Sequence, residues 1–278
     1  MAYIDLHAHI LPGLDDGAQT LEESLKMAQM ALAQGIKKIV ATPHVTEGIY
    51  ENEKGEILEK TRQLQNALRD EGIPVEIIPG AEIHISDNIL KLLENDKLLT
   101  INDAGSYILL ELPHFQPVPL YLETLIFQLS LKGIKVIIPH PERNSSVQEN
   151  PNLLLPIIKQ GALIQGTLSS LTGHFGGKAQ QTLEILMRHR MVHLLATDMH
   201  STGGRLKGFS NALKKTEGLL GKEILCPMIT SVPELIIKGG ETKVLDPQYY
   251  EANSPKRLLR SFFHGLFSQR IQDKNHGM

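Results

Sequence analysis

Histidines and carboxylates recur in this sequence where short apolar runs end. The first run closes as Asp5-Leu6-His7-Ala8-His9, and in extended backbone residues two positions apart point to the same side. His7 and His9 can therefore grip one ion, although a His-x-His pair alone is a weak signal. Later runs end in Ala41-Thr42-Pro43-His44, Pro79-Gly80-Ala81-Glu82, Leu109-Leu110-Glu111-Leu112, Ile138-Pro139-His140-Pro141-Glu142 and Ala196-Thr197-Asp198-Met199-His200. An acid in apolar surroundings is costly unless it is paired or bound to a cation. Five run ends beyond the first, each carrying a His, Glu or Asp, make coincidence a poor explanation. One ion takes three or four protein donors, and eight or nine are on offer, so two or three ions are implied. Imidazole and carboxylate without thiolate suit Mn, Fe or Zn.

The elements that must position these groups alternate strand with helix. β-branched runs predict strands over residues 2–6, 36–42, 75–78, 107–112, 134–138, 162–165 and 193–196. Between the first two, Thr20 and Glu23 form a capping-box signature, and Leu21, Leu25, Ala28 and Leu32 recur at helical spacing. Gly35, Gly72, Gly133 and Gly161 each stand between a helical pattern and the next strand. Helix, glycine, strand is the joint of a parallel sheet with helical crossovers. Seven such units without a linker favour an α/β fold closed into a complete or distorted (β/α)7 barrel over an open doubly wound sheet. The C-terminal face of such a barrel would bring all the run ends to one cavity.

The chain of 278 residues is expected to be a single domain, with a C-terminal extension from residue 241 onward. That tail carries Lys256-Arg257-Leu258-Leu259-Arg260-Ser261-Phe262-Phe263. Leu259, Phe262, Phe263 and Leu266 are expected to pack on the barrel as one helix face, the alternative being a basic helix that docks on a membrane or partner. A net charge of −3 argues against a nucleic-acid-coating protein. The lone Cys226 allows no internal disulfide and fits a reducing, cytoplasmic setting. No signal peptide is expected from Met1-Ala2-Tyr3-Ile4-Asp5, and no apolar run approaches the ~20 residues of a membrane span. Cysteine-based phosphatase chemistry would need an arginine six positions after the thiol, where Val232 stands. P-loop and Gly-x-Ser-x-Gly patterns are also missing.

The segments His7-Ala8-His9-Ile10-Leu11-Pro12-Gly13-Leu14-Asp15-Asp16-Gly17, Gly80-Ala81-Glu82-Ile83, Pro139-His140-Pro141-Glu142-Arg143 and Thr197-Asp198-Met199-His200 together resemble the bacterial manganese-dependent protein-tyrosine phosphatases. These belong to the polymerase-and-histidinol-phosphatase (PHP) superfamily. The resemblance runs from the start of the chain to about residue 240 and implies a distorted seven-stranded barrel with manganese in up to three sites. It implies His7, His9, Glu82 and Asp198 around a first ion, Glu82, Glu111 and His140 around a second, and Asp16, His44 and His200 around a third. Asp15 is the alternative to Asp16, and Thr197 stands where the family often has serine.

The chemistry so implied is hydrolysis of a phosphate monoester dianion by water activated between ions. Arg143 and Arg205 would grip the phosphoryl oxygens through their planar forks. The bland alternative for Arg143 is a surface ion pair with Glu142. The implied substrate is phosphotyrosine on a protein, in particular the tail of a bacterial tyrosine kinase that controls capsule or exopolysaccharide export. A small-molecule phosphatase acting on histidinol phosphate, a PHP-type nuclease and a metal-binding regulatory module are the rivals. His84 and His114 are expected to support or pack against the site, His174 could touch substrate, and His189, His193, His264 and His276 are expected in solvent or core.

Overall fold

A computed structural model describes residues 2–242 and 246–251. The described residues up to 248 make one compact unit. The helix face expected from Leu259, Phe262, Phe263 and Leu266 lies outside the described residues. No described helix is long and apolar enough to cross a membrane.

The strands of this unit are β1 (Tyr3–Ala8), β2 (Ile36–Ala41), β3 (His44–Val45), β4 (Glu76–Pro79), β5 (Glu82–His84), β6 (Tyr107–Glu111), β7 (Lys135–Pro139), β8 (Leu163–Thr167) and β9 (Leu194–Ala196). All their pairings are parallel. The seven expected strands correspond to β1, β2, β4, β6, β7, β8 and β9. They do not form one closed ladder, because the order is β1-β2-β4 in one sheet and β3-β5-β6-β7-β8-β9 in the other. The additional β3 and β5 arise where Thr42-Pro43 and Gly80-Ala81 interrupt the chain. Pro43 has no N–H to give to a ladder. At Gly80 a Cβ would come within 2.8 Å of Val40 Cγ1, so only glycine lets these two segments lie so close. At the other junction Asp198 N donates to His7 O at 2.9 Å and His9 N to Met199 O at 2.8 Å. These bonds lay the start of the chain against the segment that follows β9.

Local signals explain the crossovers. Thr20 Oγ1 accepts from Glu23 N at 3.2 Å and starts the helix Leu21–Ala33, while Glu23 Oε2 accepts from Gln19 N at 3.1 Å. Gly133 (φ 78°) and Gly161 (φ 96°) take the left-handed turn that sends helix into strand.

The inner face changes character along each strand. Leu6, Val40, Ile78, Leu109, Ile137, Leu163 and Leu194 meet in one buried cluster, which Ile236 and Ile237 of the helix Ser231–Ile237 join. Two and four residues further along, the same alternation yields Thr42 and His44, Gly80 and Glu82, Glu111, Gln165 and Thr167, and Ala196 and Asp198. In β1 the register is irregular between Asp5 and Ala8. That irregularity allows Leu6 to face the core and His7 the site although they are sequence neighbours.

Candidate metal centre

All nine expected ligands come together above that core, in overlapping groups whose donor atoms lie within 4.8 Å of one another. His7 Nε2 is 3.1 Å from Glu82 Oε2, 3.4 Å from Asp198 Oδ1 and 3.1 Å from His9 Nε2. His9 Nε2 is 3.3 Å from Glu82 Oε2 and 3.5 Å from Asp198 Oδ1. Donors held at about 2.1 Å around one tetrahedral ion stand about 3.4 Å apart, so this quartet has the dimensions of a ligand shell. Glu82 turns its other oxygen to His140 Nε2 at 2.8 Å, and Glu111 Oε1 lies 3.9 Å from the same nitrogen. Asp16 Oδ1 is 3.4 Å from His200 Nε2 and 3.6 Å from His44 Nε2, while His44 Nδ1 lies 3.2 Å from Glu82 Oε2.

Of the two adjacent acids, Asp15 is engaged elsewhere. Its Oδ2 accepts from His9 Nδ1 at 2.6 Å and from His44 N at 2.9 Å, and its Oδ1 accepts from Gly17 N at 2.9 Å. A carboxylate on Nδ1 holds the proton there and leaves Nε2 free to donate a lone pair. The Gln165 amide stands 2.8 Å from His7 Nδ1.

The electrostatics suit cations. Burial opposes ionisation of Asp198, but Arg143, His7, His9 and Arg205 hold its carboxyl well below the usual range. Burial likewise works against Glu82, and His7 and His140 outweigh it. Burial and then Arg143 push His140 down to about 4, which keeps its imidazole neutral. The hydrogen bond from His200 draws Asp16 down to about 2. Glu82 Oε2 and Asp198 Oδ1, both fully enclosed, nevertheless have no hydrogen bond of acceptable geometry. Buried anionic oxygens without donors are expensive, and a divalent ion is the partner that fits both them and the surrounding imidazoles. His140 (φ 35°) and Asp198 (φ 53°) reach the centre from left-handed backbone.

Arg143 is not paired with Glu142. Its Nη2 donates to Thr167 Oγ1 at 2.9 Å and to Asp198 Oδ2, and its side chain is only 10% exposed. Glu142 is buried instead, accepting from Thr167 N at 3.0 Å and Ser170 Oγ at 2.7 Å. Arg205 Nη1 lies 2.9 Å from Asp198 Oδ2 and also donates to Asp198 O. His84 Nδ1 and His114 Nε2 flank Glu111 at 3.3 and 3.5 Å, and His114 forms a further metal-capable group with Glu111 and His140. His193 is buried at the start of β9, its Nδ1 accepting from Ile164 N. Phe175, absent from the expected set, lies beside both arginines; its only sequence signal was an aromatic ring among the glycines of residues 173–177.

A parallel α/β frame that gathers imidazoles, carboxylates and arginines at its strand ends defines a metal-dependent hydrolase. More narrowly, the chain belongs to the CpsB/CapC family of capsular polysaccharide synthesis, whose model matches residues 3–238. Tyrosine-protein phosphatase YwqE of Bacillus subtilis (strain 168) is 40% identical over 260 residues, covering 94% of this chain and all of that protein. Tyrosine-protein phosphatase CpsB of Streptococcus pneumoniae is 29% identical over 73% of this chain and 84% of its own length. A crystal structure from work on YwqE and CpsB, described as unique metal-dependent tyrosine phosphatases, matches with a TM-score of 0.85 and 38% identity, covering 90% of this chain and 100% of that one. Histidinol phosphate phosphatase of Lactococcus lactis shares the fold alone, with a TM-score of 0.51 and 15% identity over 76% of this chain and 93% of its own.

Proposed function

We infer that this protein is a metal-dependent protein-tyrosine phosphatase working in capsule or exopolysaccharide regulation, built on a distorted seven-stranded PHP-type barrel. The observation that carries the reading is the buried quartet of His7, His9, Glu82 and Asp198 with two unpartnered carboxylate oxygens, beside two arginines. His7, His9, Glu82 and Asp198 would hold one ion, Glu82, Glu111 and His140 a second, and Asp16, His44 and His200 a third. Manganese suits this donor set and is the metal proposed. When bound, the ions supply Lewis acidity that makes water nucleophilic near neutral pH and offsets the substrate's charge.

The chain's own groups do the rest. Asp15 fixes the tautomer and tilt of His9, and Gln165 bears on the corresponding nitrogen of His7. Arg143 and Arg205, both anchored on Asp198, present their remaining N–H edges to the phosphoryl oxygens. A tyrosyl phenolate has a conjugate-acid pKa of about 10 and can leave with little protonation, so these residues need only hold phosphate and orient water. The proposed partner is the phosphotyrosine-bearing tail of a bacterial tyrosine kinase in the cytoplasm. The test is kcat/KM for phosphotyrosyl peptide, phosphoseryl peptide and histidinol phosphate, after chelation and after Mn²⁺ is returned. Activity lost on chelation, restored by Mn²⁺ and greatest on phosphotyrosine is expected. A preference for histidinol phosphate, or full activity without metal, would overturn the reading.

A further inference from the structure

We propose that Phe175 is the positioning residue of the arginine pair, holding Arg143 and Arg205 in the planes that let them receive a phosphoryl group. This inference rests on the reading of both arginines as phosphate-binding. The Arg143 guanidinium carbon lies 3.6 Å from the centroid of the Phe175 ring, and that of Arg205 lies 5.1 Å away. A guanidinium laid on an aromatic face cannot swing out of its plane, yet all its N–H donors stay available at the edge.

What those edges meet is uneven. Arg143 Nη2 is used by Thr167 and Asp198, whereas its Nε–H, on a side chain nine-tenths buried, has no hydrogen-bond partner among the described residues. A buried cationic donor left without an acceptor leaves the guanidinium's charge incompletely offset, which favours an anion at its edge. Phe175 keeps that donor from turning toward solvent and satisfying itself there.

The loop that carries Phe175 is built to bring it in. Gly173 (φ 82°) and Gly176 (φ 86°) both take left-handed backbone, which turns the chain sharply on either side of the ring. The neighbouring His174 ring packs on Gly204, where a Cβ would stand 3.1 Å from His174 Cε1. One loop therefore touches the arginine that follows β7 and the backbone next to the arginine that follows β9.

The experiment uses the full-length, manganese-loaded protein and compares F175L, F175Y, R143A, R143A/R205A and R143A/R205A/F175L. Each is measured for kcat and KM on a phosphotyrosyl peptide and on 4-nitrophenyl phosphate, for inhibition by inorganic phosphate, and for bound metal. F175L is expected to lower kcat/KM about tenfold on both substrates and to weaken phosphate inhibition about as much, at unchanged metal count. F175Y, which keeps the ring, should restore wild-type values. Without the two arginines, F175L should change nothing further, since a residue that acts through them has nothing left to act on. An undiminished F175L effect in the arginine-free protein, or an effect confined to the peptide, would overturn the inference in favour of direct contact with the tyrosine. Wild-type kinetics in F175L while R143A still costs about 10²-fold would overturn it and leave the arginine reading standing. Silent R143A and R143A/R205A proteins would overturn the arginine reading, and this inference with it.

Discussion

The two ends of the inner strand face are built from the same alternation and hold opposite kinds of residue. Toward the N-terminal ends, Leu6, Val40, Ile78, Leu109, Leu163 and Leu194 are enclosed and make no polar demands. The one hydroxyl in that cluster, on Tyr107, is satisfied by Gly240 O at 2.7 Å. Toward the C-terminal ends, His7, His9, Glu82 and Asp198 are as thoroughly enclosed, yet two of their oxygens are left without hydrogen bonds. Burial is equal at the two ends. The difference lies in whether buried polar atoms are paired, and an unpaired cluster marks a site that awaits something from outside the chain.

The largest effect should come from removing a ligand. Asp198→Ala or His140→Ala is expected to lower kcat/KM by about 10³-fold or more and to reduce bound metal, with the fold intact by circular dichroism. Turnover close to wild type would erase the distinction between the two ends. Leu109→Ala, two residues before Glu111 on the same strand, should do the reverse. Chemical denaturation should show a loss of about 2–5 kcal/mol, while kcat of the folded fraction stays unchanged.

His193 offers a finer probe just before β9, outside that apolar cluster, where its Nδ1 accepts from Ile164 N and its buried Nε2 has no hydrogen-bond partner among the described residues. Burial holds its imidazole down to about 4, so between pH 6.5 and 4 the unfolded chain binds a proton that the folded chain refuses. Its contribution to stability is complete above pH 6.5 and is lost as the pH falls toward 4, by up to about 3 kcal/mol. Unfolding of His193→Asn across that window should show a shallower pH slope than wild type. An identical slope would remove His193 as its source. The smallest effect belongs to Tyr107→Phe, which loses the bond to Gly240 and should cost about 1 kcal/mol without any change in kinetics.

The strands were legible because β-branched runs between glycine-terminated helices admit few other readings. β3 and β5 were not, since elements of two and three residues leave no periodicity to detect. The candidate ligands were legible because all but Asp16 close an apolar run or stand shortly after one, as His7 and Glu111 do at the ends of β1 and β6 and His140 just past β7. What the sequence hid depends on distance between segments. Nothing local shows that Asp15 turns to His9 while Asp16 turns to His200, because a loop does not fix which acid faces inward. The alternative of an Arg143–Glu142 pair falls for a related reason: adjacent charges look like partners in sequence, but the turn Pro141–Arg143 sends one to β8 and the other to Asp198. Phe175 lies 32 positions from Arg143 and 30 from Arg205, beyond the reach of any spacing rule.

The left-handed backbone at His140 and Asp198 has a consequence for how this protein tolerates change. Both residues carry a Cβ where glycine would sit without strain, at a cost of roughly 1 kcal/mol each. Glycine at either position would relax the main chain while deleting a side chain aimed at the centre. At His140 selection for heat tolerance alone would gain from that relaxation and a demand for turnover would hold the residue in place, whereas at Asp198 the loss of the carboxylate would also leave Arg143 and Arg205 without their anchor. At His140 endurance and activity pull the same residue in opposite directions, and at Asp198 they hold it together.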